Sequence, residues 1–267
     1  MKGEKSVFSP KAKALGFPHA KILMSTWHKS GNYSSIQDLL VTKSGLTIDE
    51  ITKPKSIPPN SINNIAKAAD VIFEKMHAGC PITIIGDYDA DGITSTAILY
   101  KLLSHFGVTP TTIIPRRFTD GYGVSISHIE GLKNSLIITV DNGITAVEPI
   151  KKAKEQGNTV IILDHHLASE TLPEADVIVD PHIPGDTSVF KEYCSAGLSY
   201  KLAQYMCKND ISKDTPRLIQ DLNVLAMIGT LADVMPLRGD NRKIVIDGLS
   251  IINNHMQKTK LSFACDY

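Results

Sequence analysis

Five short apolar runs, at residues 82–85, 111–114, 136–140, 159–163 and 177–179, limit most tightly what this chain can fold into. Each is β-branched and uninterrupted, the pattern of a strand covered on both faces. Helix-like segments lie between them. Of these, 145–156 is the clearest, with Thr145 and Glu148 spaced as a capping box and Gly157 where the helix should stop. Strand–helix alternation requires a mainly parallel sheet with right-handed crossovers. The fold class is therefore α/β, a sheet flanked by helices and followed by a helical segment.

Before the first run, residues 61–78 read as a helix carrying Ile62, Ile65, Ala66, Ala69, Ile72 and Phe73 near one face. The first sixty residues are weakly patterned, with lysines at the start, Pro54, Pro58 and Pro59 near the end, and short helices at 35–41 and 47–51. After Asp180 strands cease, and 198–207, 217–228 and 242–254 read as helices. The expected division is an N-terminal extension (1–60), a main domain (61–255) and a C-terminal tail (256–267).

Composition narrows the class of protein but not its partner. Apolar residues make up 42% and charged residues 21% of 267, as in a globular domain. No run reaches the length of a membrane span and no signal peptide opens the chain, so no membrane and a cytoplasmic location are expected. Cys80, Cys194, Cys207 and Cys265 lack zinc-like spacing and read as reduced structural thiols. With 28 basic against 28 acidic residues the chain is not a globally basic nucleic-acid binder, although a local positive groove is compatible with this balance.

The chemistry sits at the ends of the runs. Gly86-Asp87-Tyr88-Asp89-Ala90-Asp91-Gly92 sets carboxylates at every second position just after the first run. On extended backbone such side chains share a face, and their mutual repulsion calls for a cation among them or for some to stay protonated, a divalent metal being the more economical answer. Hard oxygen ligands favour magnesium, manganese or calcium. Asp141 follows the third run and Asp164-His165-His166 the fourth, and ligands of open parallel sheets bind beyond those carboxyl ends. Asp233, after a later helix, closes the site from the helical side. Any one such Asp alone would more often be a cap or turn residue. Asp91 has two readings, a reach toward a metal-bound water or a cap on the helix after Gly92.

Asp164-His165-His166 and the 86–92 turn together resemble the DHH phosphoesterase family. Residues 137–143 and 229–237 look like its other two motifs. Residues 114–123, including Arg117, narrow the likeness to the RecJ branch of single-strand-specific 5′→3′ exonucleases, and 45–50 look like its entry segment. The resemblance runs from about Ser44 to about Asn254. It implies a Rossmann-like sheet and a two-metal phosphodiesterase that uses manganese or magnesium. Carried over by position, Asp87 and Asp89 are metal ligands, Asp141 bridges two ions, and His165 and Asp233 complete one shell. His166 lies near the scissile phosphate as acid or charge stabiliser, and Asp164 orients a histidine. Arg117 pairs with a phosphate oxygen or, on the plainer reading, forms a salt bridge or contacts Asp120. Tyr122 either stacks on a base or belongs to the core. Asn142, Gly143 and the N-terminus of helix 145–156 offer backbone donors to phosphate.

Two departures stand out. The family often has a histidine where this chain has Ile85. RecJ-type nucleases also carry a linker helix and a second, strand-gripping domain after this region, and the chain ends at Tyr267, about where the linker starts. The expected function is thus the catalytic part of a single-stranded-DNA exonuclease of repair and recombination, truncated before that domain, with grip from a second domain or partner chain. The alternatives are an oligonucleotide or dinucleotide phosphodiesterase of the same superfamily, and a non-catalytic replication or repair scaffold.

Overall fold

The computed structural model describes residues 33–116 and 123–259. The chain divides into two compact units, Met1–Gly45 and Leu46–Tyr267. In the first, helix α1 (Ile36–Ser44) starts at Ser35, whose hydroxyl accepts the Asp38 N–H at 3.0 Å. It ends at Gly45, in the left-handed conformation (φ 70°) that closes many helices.

The second unit opens with α2 (Ile48–Thr52), held by a capping box between Thr47 and Glu50. Residues 46–60, read from sequence with the extension, make their contacts inside this unit. The Ile57 N–H donates to Asp240 at 2.9 Å, and Arg242 Nε donates to the Ile51 carbonyl at 2.5 Å. Helix α3 (Ile65–His77) starts later than residue 61, because Pro59–Ser61 forms a 3₁₀ turn and Asn64 takes φ 62°. A left-handed residue cannot continue a right-handed helix.

Strands β1 (Ile82–Ile85), β2 (Thr111–Ile113), β3 (Leu136–Val140), β4 (Thr159–Leu163) and β5 (Val177–Val179) form one parallel sheet in the order β2-β1-β3-β4-β5. Alternation along the strands sends Ile84, Ile138 and Ile161 into one core and Ile85, Ile137 and Ile162 into the other. Helix α3 packs in the first core with α4 (Ala90–His105), α7 (Ser195–Met206), α8 (Thr215–Ala232) and α9 (Gly239–Thr259). The second core takes α5 (Ile126–Ile129) and α6 (Val147–Glu155). Each fully buried Ile or Leu contributes roughly 1.5–3 kcal/mol, so the central strands anchor both layers. β2 departs from the expectation of two covered faces. It pairs on one side only, as an edge strand, and Thr111 and Thr112 are exposed.

The capping box expected at Thr145 and Glu148 is also absent. α6 begins at Val147 with Ala146 as N-cap and no side-chain cap. The preceding loop is committed elsewhere: the Ile144 N–H donates to Asp164 at 3.0 Å, and the Ala146 N–H turns back onto the Gly143 carbonyl at 3.0 Å. The far end follows the sequence, with Gly157 at φ 79° just past the helix.

Candidate metal centre

The strand order reverses at β1, which opens a crevice between the carboxyl ends of β1 and β3. Register determines which side chains meet there. Ile85 pairs with Thr139, Val140 with Leu163, and Leu163 with Val179. Continued past the sheet, the same register sets Asp87, Asp141, Asp164 and Asp180 in one row. The Asp141 N–H still donates to the Leu163 carbonyl, and the Asp164 N–H to that of Val179, each at 3.1 Å. All four carboxylates are buried, at 1–2% exposure.

Around this row three groups of side chains lie close enough to hold a cation: Asp87, Asp89 and Asp141; Asp141, His165 and His166; and Asp91, His165 and Asp233. Within each group the ligating atoms lie within 4.8 Å of one another. His165 Nε2 joins the groups, 3.2 Å from Asp141 Oδ1 and 3.7 Å from both Asp91 Oδ2 and Asp233 Oδ2. Asp141 Oδ1 is buried without a hydrogen bond among the described residues, as a ligand awaiting a cation would be. Hard oxygen and imidazole donors in this number fit a divalent metal of the manganese or magnesium type.

The electrostatics agree with that fit. Burial pushes Asp141 well above the carboxylate range, and Asp91 and Asp89 beside it push in the same direction. Burial raises Asp87, reinforced by Asp89, and raises Asp233 despite His165 close by. Asp164 behaves differently. Burial pushes it up, but hydrogen bonds from His166, Ile144 and His165 outweigh this and leave it below its ordinary value. Its Oδ1 meets His166 Nδ1 at 2.7 Å, and this bond raises the imidazole. Beside the centre opens a cleft of about 570 Å³, lined in part by Val124, Asn142, Gly143, His166 and Leu167.

The structure brings Asp87, Asp89, Asp141, His165, His166 and Asp233 together. Arg117 and Tyr122 lie outside the described residues. The three carboxylates of the 86–92 turn fall in two of these groups, Asp87 and Asp89 in one and Asp91 in another, because the extended backbone ends at Asp89. Asp89 itself is the N-cap of α4, its Oδ1 accepting the Gly92 N–H at 3.0 Å. Asp91 therefore lies in the first turn of the helix and reaches the site from there, its Oδ2 3.7 Å from His165 Nε2. It caps a different helix from the one read in the sequence: its two oxygens accept the Ser195 and Ala196 N–H groups at the start of α7, at 2.7 and 2.9 Å. Ile85 is fully buried in the core beneath α5 and α6 and offers no ligand. Sequence reading also passed over Asp180, although it follows the fifth run as Asp141 and Asp164 follow theirs.

Gly92 holds the turn in shape. A Cβ there would lie 2.6 Å from the backbone N and O of Asp87, and the backbone cannot give way. Gly92→Ala is expected to cost about 1–3 kcal/mol of stability through this clash and to weaken manganese binding by displacing Asp87. Paired thermal melts and metal titrations check it; an unchanged metal affinity would show that the turn tolerates the methyl.

Residues 81–230 match the DHH family, N-terminal domain. The single-stranded-DNA-specific exonuclease RecJ of Bacillus subtilis (strain 168) is 41% identical over 194 residues, 72% of this chain and 24% of that protein. A crystal structure of exonuclease RecJ bound to manganese aligns with a TM-score of 0.63 and 35% identity, over 71% of this chain and 48% of that one. RecJ from Thermus thermophilus in complex with Mn2+ gives 0.63 and 31% identity, over 80% of this chain and 31% of that one. The chain thus spans less than half the length of each of these proteins. The family match runs from the start of β1 to the last turns of α8 and takes in the whole carboxylate row; on that ground the chain belongs to the DHH family.

Proposed function

We propose that this chain is the catalytic part of a metal-dependent phosphodiesterase acting on single-stranded DNA, in the manner of a RecJ-type 5′→3′ exonuclease. The observation that carries the reading is the meeting of Asp87, Asp89, Asp141, His165 and Asp233 at the switch point of the sheet. Likeness to single-strand-specific exonucleases supports the substrate class. Asp87, Asp89 and Asp141 would hold one divalent ion, and Asp141, His165 and Asp233 a second. Bound there, manganese or magnesium activates a water and neutralises phosphodiester oxygens.

The remaining work falls to the chain's own side chains. Asp164 fixes the His166 ring through Nδ1 and holds it in the cationic form to higher pH. The proton that His166 offers to a phosphate or leaving-group oxygen is then the one on Nε2. Arg117 is assigned to a phosphate oxygen, which its planar fork suits. On this reading the catalytic domain is 61–255, the chain works in the cytoplasm, and grip on the strand comes from a second domain or partner chain. A net charge of zero supports the last point, since strand binding draws on many cationic contacts.

The test is manganese-dependent hydrolysis of 5′-labelled single-stranded DNA beside duplex DNA, dinucleotides and cyclic dinucleotides. Release of nucleotides from the single strand, abolished by chelator and absent on duplex, is expected. Cleavage of dinucleotides with no action on longer strands would overturn the exonuclease reading in favour of a small-substrate phosphodiesterase.

A further inference from the structure

Helix α8 closes through a residue type that its backbone disfavours. The Val234 N–H donates to the Leu231 carbonyl at 3.2 Å and the Met235 N–H to that of Thr230 at 3.1 Å, the pair of bonds that ends a helix around one left-handed residue. That residue is Val234, at φ 54°. Glycine holds the comparable place after α1 and α6, as Gly45 and Gly157. The other described non-glycine residues with positive φ are Asn64, Asn134 and Asp141, types that adopt this conformation readily. A β-branched side chain is strained there. Packing within the chain does not offset the strain, because Val234 is 85% exposed.

The location of the strained residue points to its use. Val234 directly follows Asp233, whose Oδ2 lies 3.7 Å from His165 Nε2 in the metal centre. Leu231 in the last turn of α8 and Ile93 in the first turn of α4 are exposed apolar residues as well. These two turns pack against each other: a Cβ on Gly229 would lie 2.7 Å from Thr94 Oγ1 and 2.8 Å from Asp91 Oδ1. We infer that Val234 is a substrate contact, an apolar step beside the metal centre on which the base next to the scissile phosphate rests when single-stranded DNA is bound. The phosphate belongs at the carboxylates and imidazoles, and consecutive Cα atoms are only about 3.8 Å apart, so the flanking nucleoside is the part of the strand that reaches Val234. The face of its base is the large apolar surface a nucleotide offers, open in a single strand and covered by neighbouring bases in a duplex. Contact with that face makes no hydrogen bond to a base edge and reads no sequence. The inference rests on the phosphodiesterase reading above and deepens it.

The test compares wild type with Val234→Gly and Val234→Asn on oligothymidylate, intact or with an abasic residue on either side of the first bond cleaved. Glycine lifts the strain but frees the backbone beside Asp233, whereas asparagine adopts the left-handed conformation without that freedom. Both variants should melt about 2–4 °C above wild type in chelator, as relief of one strained residue does in a chain of this length. Both should lose about five- to tenfold in kcat/KM on the intact strand, the size of a lost half-buried aliphatic contact. The abasic residue at one of the two positions should cost wild type a similar factor and cost the variants nothing further, the non-additivity of two groups in contact. Manganese affinity, from calorimetry, should stay within about threefold of wild type. Unchanged kcat/KM in the variants, or an abasic penalty as large in them as in wild type, would overturn the contact alone and assign the exposed valine to another occupant such as a protein surface. Manganese affinity that falls in step with kcat/KM would also overturn it, since Val234 would then act through Asp233. A wild-type protein that cleaves dinucleotides but no longer strand would overturn the exonuclease reading, and the contact with it.

Discussion

Asp141→Asn is expected to stabilise the metal-free protein while removing metal binding and hydrolysis. The residue has φ 61°, a left-handed conformation that asparagine adopts readily and alanine does not, so the substitution changes charge with little backbone strain. In chelator Asp141 is a buried carboxyl held far above its ordinary range by burial and by Asp91 and Asp89. A carboxyl held even a hundredfold less acidic than in the unfolded chain withholds about 2.7 kcal/mol of stability at neutral pH. The amide removes this penalty. It also removes the anion shared by two of the three metal-holding groups. Manganese affinity should therefore fall by more than the ten- to hundred-fold typical of residues one layer out.

The sign of the pH dependence follows from the same shifts. Asp87, Asp141, Asp180 and Asp233 are all raised in the fold, Asp180 to about 7. Between the unfolded carboxylate value near pH 4 and these folded values, the native state binds more protons than the unfolded chain. Stability of the metal-free protein is then fullest below about pH 4 as far as these groups decide it, and is lost as pH rises through 7 and beyond. Asp141→Asn should flatten that fall, and manganese should reverse it in wild type by displacing protons from its ligands. Melting curves in chelator and in manganese across pH 5–9 test both claims. A variant that melts below wild type in chelator, or binds manganese as tightly, would remove Asp141 from the centre of the site.

Much of this arrangement was legible because parallel sheets obey simple rules. Uninterrupted β-branched runs at 82–85, 136–140 and 159–163 fall on the strands, and residues that follow such strands meet at one end of the sheet. That alone brings Asp87, Asp141 and Asp164 into register. Asp91 was legible only in part: it does reach His165 in the site, but a spacing of two has meaning only on extended backbone, and a helix starts one residue after Asp89. The N–H groups that it caps, at the start of α7, lie more than a hundred residues away and leave no local trace. The Thr145 and Glu148 pattern failed for a related reason: a long-range bond from Ile144 to Asp164 outweighs a local cap. Asp180 carried the strand-end signal but no neighbouring motif to draw attention to it.

Asp240→Ala should be among the most destabilising single changes in the second unit, by about 3–5 kcal/mol. Asp240 and Lys201 are each 1% exposed and pair at 2.8 Å. The same carboxylate accepts the Tyr193 hydroxyl at 2.6 Å and the Ile57 N–H at 2.9 Å, and Lys201 also donates to the Ile57 carbonyl. Burial and the neighbouring Asp240 push the Tyr193 phenol far above its ordinary value, so it stays a neutral donor. One carboxylate thus ties residues 46–60, α7 and the first turn of α9 together. Without it, the Lys201 ammonium is left buried with a single carbonyl partner among these groups. Lys201→Met should cost less, because Asp240 keeps two donors. In the double variant Lys201→Met, Asp240→Ala no charge is left to bury, so its loss should fall about 1–3 kcal/mol short of the sum of the single losses. Urea unfolding followed by circular dichroism and by tyrosine fluorescence gives all the values needed. Single losses below about 1 kcal/mol, or strict additivity, would mean that water reaches this pair and that the tie between the elements comes from apolar packing alone.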